Sequence, residues 1–278
     1  MAYRFLSFPN FKTKALTLSY DDGVKQDARL IEIMSKNGIK GTFNINSGKF
    51  AKEEGSLRMT EKTALELYSK YQMEVACHGV DHLSLAEVPC AMATADVIND
   101  RINLEKIFGK VIRGMAYANG SYNDNVCQIL KNCGIAYSRT VISTEAFDIP
   151  TDWLRLPATC HHNNPRLMEL LDKFLDDKKS SYFWSNKPKL FYLWGHSYEF
   201  DNNDNWSVIE EFCKKAGNRD DVWYATNIEI YDYVKGYERL EFSASGDMVY
   251  NPNSFDIYLD WFGKNVIAKS METTALAL

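Results

Sequence analysis

Residues 16–23 read Leu16-Thr17-Leu18-Ser19-Tyr20-Asp21-Asp22-Gly23, an apolar strand pattern that ends in two adjacent carboxylates and a glycine. Neighbouring side chains of a strand point to opposite faces, so both carboxylates can face one site only where the strand gives way to a loop. Gly23 permits such a turn. The pair could then divide its work, with one carboxylate binding a metal and the other acting as a base. A simple turn or helix cap is the alternative interpretation.

A second polar motif, Cys77-His78-Gly79-Val80-Asp81-His82, follows an apolar stretch that ends at Ala76. Imidazoles four residues apart lie on one side of a helical turn, and this arrangement suits a first-row transition metal. Parallel α/β folds build their sites at the carboxyl ends of strands, where both motifs should lie. One carboxylate and two imidazoles would form a three-ligand site with room for water. Hydrogen-bonded surface histidines are the alternative.

A third strand pattern ends in a histidine, in the segment Leu190-Phe191-Tyr192-Leu193-Trp194-Gly195-His196. Its fully apolar run is typical of a buried parallel strand, and a lone histidine there is usually hydrogen-bonded near the core. The following residues approach the nucleophile elbow of serine hydrolases, but Glu199 occupies the position of the second glycine, which excludes that class. Cys160 precedes His161, yet we do not expect a Cys–His nucleophile, because sequence neighbours rarely point together.

Together the three segments resemble the signature of the polysaccharide deacetylases, also called the NodB-homology domain or carbohydrate esterase family 4. The motifs Ser19–Gly23, His78–His82 and Leu193–His196 keep the family's order, and the resemblance covers about residues 14–235. It implies that Asp21 is the general base and His196 the general acid. It also implies that Asp22, His78 and His82 are the ligands of zinc or a similar divalent ion.

The chain departs from the family at the third motif, in which an arginine precedes Pro, Pro, Tyr and Gly. The matching segment begins at Ala116, which stands at the arginine position, whereas Arg113 lies three residues too early. In the family this arginine orients the base. Asp152-Trp153-Leu154-Arg155 resembles part of the fourth motif, and Arg155 is the candidate for the missing guanidinium. These departures indicate a divergent subgroup with its own substrate.

Several residues are predicted to contact the substrate. A backbone N–H near Asn119 is expected to hold the oxyanion. Trp153 is the first candidate to stack on a sugar, although aromatic residues in barrels usually belong to the core. His162 could supply a further ligand or contact the substrate, or simply belong to a loop before a helix. The predicted substrate-binding set is Tyr117, Asn119, Trp153, Arg155 and His162.

Composition narrows the class of protein. A chain of 278 residues with 45% hydrophobic content can bury one α/β barrel with an appendage. The net charge of −5 and the pI near 5.6 give no excess of positive charge of the kind that binds nucleic acid. The sequence has no stretch of about 20 apolar residues, so no membrane-spanning helix is predicted. The first residues lack a signal-peptide pattern, so we expect a cytoplasmic protein. The six cysteines show no C-x-x-C spacing and are expected to be reduced or buried thiols.

Strand and helix patterns alternate along most of the chain, which predicts parallel strands joined by right-handed crossovers. We therefore expect an α/β fold over residues 1–237, and the resemblance implies a distorted (β/α) barrel with fewer than eight strands. The alternation of strand and helix patterns ends near Leu240. Two short apolar runs there flank Ser245-Gly246-Asp247, whose composition predicts a hairpin turn. Residues 238–278 are predicted to form a small β appendage that covers a barrel end, with a frayed tail from about Ser270.

The motifs and the resemblance together predict a metal-dependent amide hydrolase that removes the acetyl group from an N-acetylated sugar or oligosaccharide. An amine leaves poorly unless it is protonated, so a dedicated acid such as His196 is a chemical requirement. Hydrolysis of a non-sugar amide on the same fold is one alternative. A catalytically silent carbohydrate-binding protein is the other, which the missing arginine favours and the pair Asp21 and His196 opposes.

Overall fold

The structure, a computed structural model, describes residues 3–176 and 187–276. Within these ranges the helices are α1 (Asp27–Lys36), α2 (Glu61–Lys70), α3 (Cys90–Phe108), α4 (Asp124–Asn132), α5 (Leu167–Leu175), α6 (Tyr198–Asn202), α7 (Trp206–Ala216) and α8 (Asn227–Glu238). The strands are β1 (Leu6–Ser7), β2 (Lys14–Asp21), β3 (Gly41–Ile45), β4 (Glu74–Cys77), β5 (Gly114–Ala116), β6 (Tyr137–Ser143), β7 (Leu156–Ala158), β8 (Cys160–His161), β9 (Lys189–Gly195), β10 (Val222–Tyr224), β11 (Glu241–Phe242), β12 (Met248–Tyr250), β13 (Ile257–Trp261), β14 (Lys264–Ala268) and β15 (Thr273–Ala275).

A nine-stranded sheet forms the centre of the molecule, in the order β7-β6-β5-β4-β3-β2-β9-β8, with β10 also paired to β2. All of these pairings are parallel. Only Thr159 separates β7 from β8, and its N–H donates to the Tyr192 carbonyl at 2.8 Å, so residues 156–161 bridge β6 and β9. With this interrupted segment counted as one strand and β10 left aside, seven strands form the ring. The predicted distorted α/β barrel is therefore confirmed.

The helices cover the outside of the ring through one apolar side each. In α1 the buried apolar residues are Leu30, Ile31 and Met34, which are spaced as an amphipathic helix requires. The helix ends at Lys36, and Gly38 follows with a left-handed φ of 68°. β2 runs through the middle of the sheet with all eight residues buried, which agrees with its apolar sequence.

The start of α8 closes the amino end of the ring. The side chain of Asn227 is buried and fully engaged. It accepts a hydrogen bond from the Thr17 hydroxyl at 2.9 Å and donates one to the Tyr192 hydroxyl at 2.6 Å. The carboxylate of Glu74, at the beginning of β4, accepts from the N–H of Ile228 at 3.0 Å. This end of the barrel is filled by side chains, and the polar sequence motifs lie at the opposite, carboxyl end.

The C-terminal segment forms antiparallel strands that pack on the barrel. β11 pairs with β12 as the hairpin pattern predicted, and β13 pairs with β14. Two pairings were not predicted: β1 lies against β13, and β15 lies against β12. The expectation of a frayed tail from Ser270 is wrong for Thr273–Ala275, because backbone pairing with Met248–Tyr250 holds these residues in a strand.

Two composition-based expectations can be compared with the structure. No helix in residues 3–176 and 187–276 has the length and apolar character needed to span a bilayer. The six cysteines are free thiols, five of them buried. Burial raises the pKa of the Cys160 thiol to about 12, which removes the thiolate that a cysteine nucleophile requires.

Candidate active site

The turn at Asp21–Gly23 carries two buried carboxylates at the carboxyl end of β2. Asp22 and Gly23 both have left-handed backbones, with φ of 87° and 63°. Such a φ is natural for glycine and uncommon for aspartate. A Cβ atom at Gly23 would also lie 3.1 Å from the side chain of Ile45. The turn therefore redirects the chain in the way that the sequence predicted from Gly23.

The structure brings together Asp21, Asp22, His78, His82 and His196. Asp21 Oδ2 lies 3.9 Å from His78 Nε2 and 3.8 Å from His196 Nε2, and Asp22 Oδ1 lies 4.0 Å from His82 Nε2. Asp22, His78 and His82 each offer a ligand atom, and these three atoms lie within 4.8 Å of one another. One carboxylate and two imidazoles are a donor set that suits a divalent transition metal with open coordination positions.

A hydrogen bond fixes which nitrogen of His78 faces this cluster. His78 Nδ1 lies 2.9 Å from the carbonyl oxygen of Ala116, so Nδ1 carries the proton and donates it. The lone pair of Nε2 then points towards the two aspartates. Burial lowers the pKa of His78, which favours the neutral ring. A neutral imidazole with its second nitrogen bonded to a carbonyl is the usual state of a metal-binding histidine.

The guanidinium that the sequence lacks at position 116 comes from the neighbouring strand. Ala116 of β5 and Arg139 of β6 are directly paired, and Arg139 Nη2 donates to Asp21 Oδ2. Arg139 is fully buried, and its guanidinium carbon lies 4.3 Å from the centre of the Trp194 ring. Asn44 donates to the other carboxylate oxygen of Asp21 at 2.8 Å. Asp21 is therefore held by one cation and one amide.

The charges around Asp21 determine its protonation state. Burial by itself would raise the pKa of Asp21, but the guanidinium of Arg139 and the imidazoles of His78 and His196 hold it at about 2. The carboxylate is consequently ionised at neutral pH. An ionised carboxylate that is bound by a fixed cation can accept a proton from a water molecule beside it.

The side chain of Glu199, three residues further along the chain, is hydrogen-bonded to His196. His196 directly follows β9, and Glu199 lies in the first turn of α6, with Oε1 3.2 Å from His196 Nδ1. This contact leaves His196 Nε2 directed towards Asp21. Burial lowers the pKa of His196, but the hydrogen bond to Glu199 and the charge of Asp21 outweigh burial and raise it. The protonated form of His196 is thereby favoured.

The same carboxylate contacts two more histidines, His161 and His162. Glu199 Oε2 lies 2.8 Å from His162 Nε2 and 3.3 Å from His161 Nε2. The backbone N–H of Asn163 donates to His161 Nδ1 at 3.1 Å, so a neutral His161 carries its proton on Nε2. His161, His196 and Glu199 also lie close enough to hold an ion, and within this group His196 is hydrogen-bonded to Glu199.

Of three further predicted substrate contacts, His162 contacts Glu199, Asn119 contacts the loop that follows His82, and Tyr117 points instead to Cys127 and Leu154. His162 is buried, contacts Glu199 and stacks on Phe200 with a centroid distance of 4.2 Å. Asn119 follows β5 with a left-handed φ of 56°, and its amide donates to the Ser84 hydroxyl, two residues beyond His82, at 3.1 Å. The buried Tyr117 donates its hydroxyl to the carbonyl of Leu154 at 2.8 Å.

The structure does not bring Trp153 and Arg155 to the cluster. Trp153 is buried and packs edge-on against Tyr231 of α8, with a centroid distance of 5.2 Å. Arg155 pairs with Asp152 at 2.7 Å and with Asp124 at 2.5 Å. The arginine that contacts Asp21 is therefore Arg139 and not Arg155, because Arg155 is engaged by two carboxylates elsewhere.

Sequence reasoning missed Arg58, Arg139 and Glu199. Arg139 could have been found, because a charged residue inside a predicted barrel strand is rarely buried without a partner. Glu199 stands three residues after His196, a spacing that brings side chains together at the start of a helix. Arg58 donates to Asp22 Oδ1 at 3.0 Å from an irregular segment, and no local pattern marks it.

Known proteins resemble this chain in sequence and in fold. Residues 9–138 match the polysaccharide deacetylase family, and the predicted resemblance to that family is confirmed. The fold is similar to a candidate polysaccharide deacetylase from Mycobacterium smegmatis, with a TM-score of 0.60 and 15% identity over 86% of this chain and 96% of that chain. A family 4 carbohydrate esterase from Streptomyces lividans, solved with acetate, gives 0.50 and 10% identity over 77% and 93% of the two chains.

A family 4 pseudoenzyme from Bacillus anthracis is also similar, with a TM-score of 0.50 and 16% identity over 82% of this chain and 68% of that chain. A sequence comparison with curated proteins gave no significant match. At these identities the solved structures establish the fold.

Proposed function

Because the chain carries a polysaccharide deacetylase domain over residues 9–138, we propose that it removes acetyl groups from an N-acetylated sugar or oligosaccharide with the help of a divalent metal, zinc in the first instance. One observation carries this proposal. A single oxygen of Asp21 lies 3.9 Å from His78 Nε2 and 3.8 Å from His196 Nε2. The proposed base, the proposed acid and one proposed imidazole ligand therefore face one small volume at the carboxyl end of the barrel.

The residues of this volume divide the reaction between them. Zinc, when held by Asp22, His78 and His82, would lower the pKa of water and polarise the amide carbonyl. Asp21 takes the proton of the attacking water, since Arg139 and Asn44 keep its carboxylate ionised and fixed. His196, protonated and oriented by Glu199, gives a proton to the departing amine. The products are acetate and a free amino sugar.

Acetate release tests the proposal directly. The chelator-treated protein is reloaded with zinc and incubated with an N-acetylglucosamine oligosaccharide, and acetate is measured over time. We expect turnover in the wild type and a loss of about 10²–10⁴-fold in Asp21→Asn, the range for removing a general base. Asp21→Asn keeps all three proposed ligands, so its zinc content should match that of the wild type. Turnover that is unchanged in Asp21→Asn would contradict the assignment of the base.

A catalytically silent carbohydrate-binding protein is the second candidate, and the pseudoenzyme among the similar structures is the observation that favours it. The two candidates differ in one measurement made on the same sample. The silent protein would bind the oligosaccharide in calorimetry and release no acetate. Acetate released only from a non-sugar N-acetyl compound would instead identify a hydrolase of another amide on this fold.

A further inference from the structure

The loop that carries His78 and His82 has no regular secondary structure of its own. Between the end of β4 and the short turn at Leu85, Gly79 and His82 adopt left-handed backbones with φ of 81° and 60°. A histidine in this conformation is uncommon, and it persists only where surrounding contacts over-determine the backbone. The contacts that hold the backbone of this loop therefore determine where both imidazoles lie.

Asp100 supplies two of these contacts from the buried side of α3. Its carboxylate is fully buried, and Oδ2 accepts hydrogen bonds from the backbone N–H of His78 and of Gly79, both at 2.9 Å. The other oxygen accepts from the N–H of Ser47 at 2.8 Å. An apolar side chain at position 100 would leave the N–H of Gly79 buried without this acceptor, whereas the N–H of His78 would keep the carbonyl of Ile45 at 3.1 Å.

Asp96 lies one turn earlier on the same helix and contacts the same loop. Its Oδ1 accepts from the N–H of Asp81 at 3.1 Å. Its Oδ2 lies 2.3 Å from the place where a Cβ of residue 79 would be, so the carboxylate fills the space that Gly79 leaves. On the other side of the loop, Asn46 donates to the carbonyls of His78 and Gly79 at 2.6 and 3.0 Å.

We propose that Asp100 and Asp96 are positioning residues for the metal ligands: they fix the backbone of residues 78–81 so that the imidazoles of His78 and His82 face Asp22. The proposal rests on the metal-dependent function above. Asp96 and Asp100 lie at i and i+4 on the buried side of α3, where a carboxylate is costly unless it has hydrogen-bond partners. Their partners are the N–H groups of this loop and of Ser47. In many metal sites, the residues that hydrogen-bond to the metal ligands affect how tightly the metal binds.

The test compares zinc affinity in three folded, metal-stripped proteins: wild type, Asp100→Asn and Glu74→Gln. Glu74 is the matched control, because it is also a carboxylate that accepts three hydrogen bonds, from Thr42, Tyr137 and Ile228, but at the opposite end of β4. Zinc dissociation constants come from competition with a chromophoric chelator, and thermal unfolding is recorded in parallel. The absorption spectrum of the cobalt-loaded protein reports ligand geometry.

We expect Asp100→Asn to weaken zinc binding by about 10–100-fold and to change the cobalt spectrum. Glu74→Gln should lower thermal stability and leave both metal readouts at wild-type values. If Asp100→Asn does not fold, Asp96→Asn takes its place, with an expected loss at the lower end of that range, about tenfold, because Asp96 accepts one hydrogen bond from the loop. Wild-type affinity in the asparagine variants, or an equal loss in Glu74→Gln, overturns the positioning role alone. A wild type that binds no zinc overturns the proposed function together with this inference.

Discussion

The single residue that most changes the interpretation of this chain is Arg139. The family motif places an arginine where this sequence has Ala116, and the absence of that side chain favours a silent protein when the sequence is considered alone. The directly paired residue of the next strand carries the guanidinium instead and contacts Asp21. Paired residues of parallel strands point to the same side of a sheet, so a small residue at 116 and an arginine at 139 can reproduce the same contact.

Arg139→Met should damage both stability and pH dependence. The change leaves the Asp21 carboxylate buried without its cation, for which a loss of about 3–5 kcal/mol in the free energy of unfolding is typical. Since Arg139 lowers the pKa of Asp21, its removal raises that pKa. Asp21 must be ionised to act as a base, so the acidic limb of the pH–activity profile should move to higher pH. Urea unfolding and kcat/KM between pH 4 and pH 9 check these outcomes.

Two further variants make the Arg139 prediction specific. Arg113→Met removes an arginine that precedes β5 and pairs with Asp232 of α8, away from Asp21, and its pH profile should match the wild type. The double variant Ala116→Arg with Arg139→Ala returns a guanidinium from the adjacent strand and should recover part of the activity. If Arg139→Met and Arg113→Met shift the acidic limb equally, Arg139 has no particular link to Asp21.

At the scale of elements, the candidate site is built where strands end, and the proposed acid, His196, contacts a helix that the sequence did not reveal. α6 has only five residues, yet it places Glu199 against His196. Sequence patterns predicted the strands that carry the motifs: the apolar pattern that ends at Asp21 is β2, and the apolar run that begins at Leu190 is β9. They missed β7 and β8 because two- and three-residue strands, one containing Pro157, have no periodicity to detect.

Glu199→Gln tests the contribution of α6. Removing the negative charge lowers the pKa of His196, since Glu199 is the main group that raises it against burial. His196 acts only when protonated, so the alkaline limb of the pH–kcat profile should move to lower pH, and a one-unit shift would cost about tenfold in rate above that limb. Zinc affinity should stay near the wild-type value.

The matched control for Glu199→Gln lies in the same helix. Asp201 is also an acid of α6, but its oxygens accept from Gln26 at 2.7 Å and from Trp206 at 2.7 Å. Asp201→Asn removes the same charge two residues away without touching His196. An alkaline limb that moves equally in both variants would mean that general charge, rather than the contact with Glu199, sets the pKa of His196.

At the scale of the whole molecule, a parallel barrel explains why residues from distant parts of the sequence meet. Asp21 is the last residue of β2, and His78 and His196 directly follow β4 and β9, and parallel strands end at one rim. The motifs were therefore sufficient to predict which residues would assemble. They could not predict Arg58, whose contact comes from an irregular segment. A charged residue inside a predicted strand marked Arg139 as a residue in need of a partner, but its contact with Asp21 depends on the strand register, which no local pattern encodes.

The central claim is that this rim binds one catalytic divalent ion, and a zinc titration of the metal-stripped protein tests it most directly. Isothermal calorimetry would be performed on the wild type, on Asp22→Ala and on His78→Ala, each verified as folded by circular dichroism. We predict one tight site in the wild type and its loss in both variants, because each removes one of three ligands. No binding in the wild type, or binding that both substitutions leave unchanged, would contradict the metal-dependent mechanism.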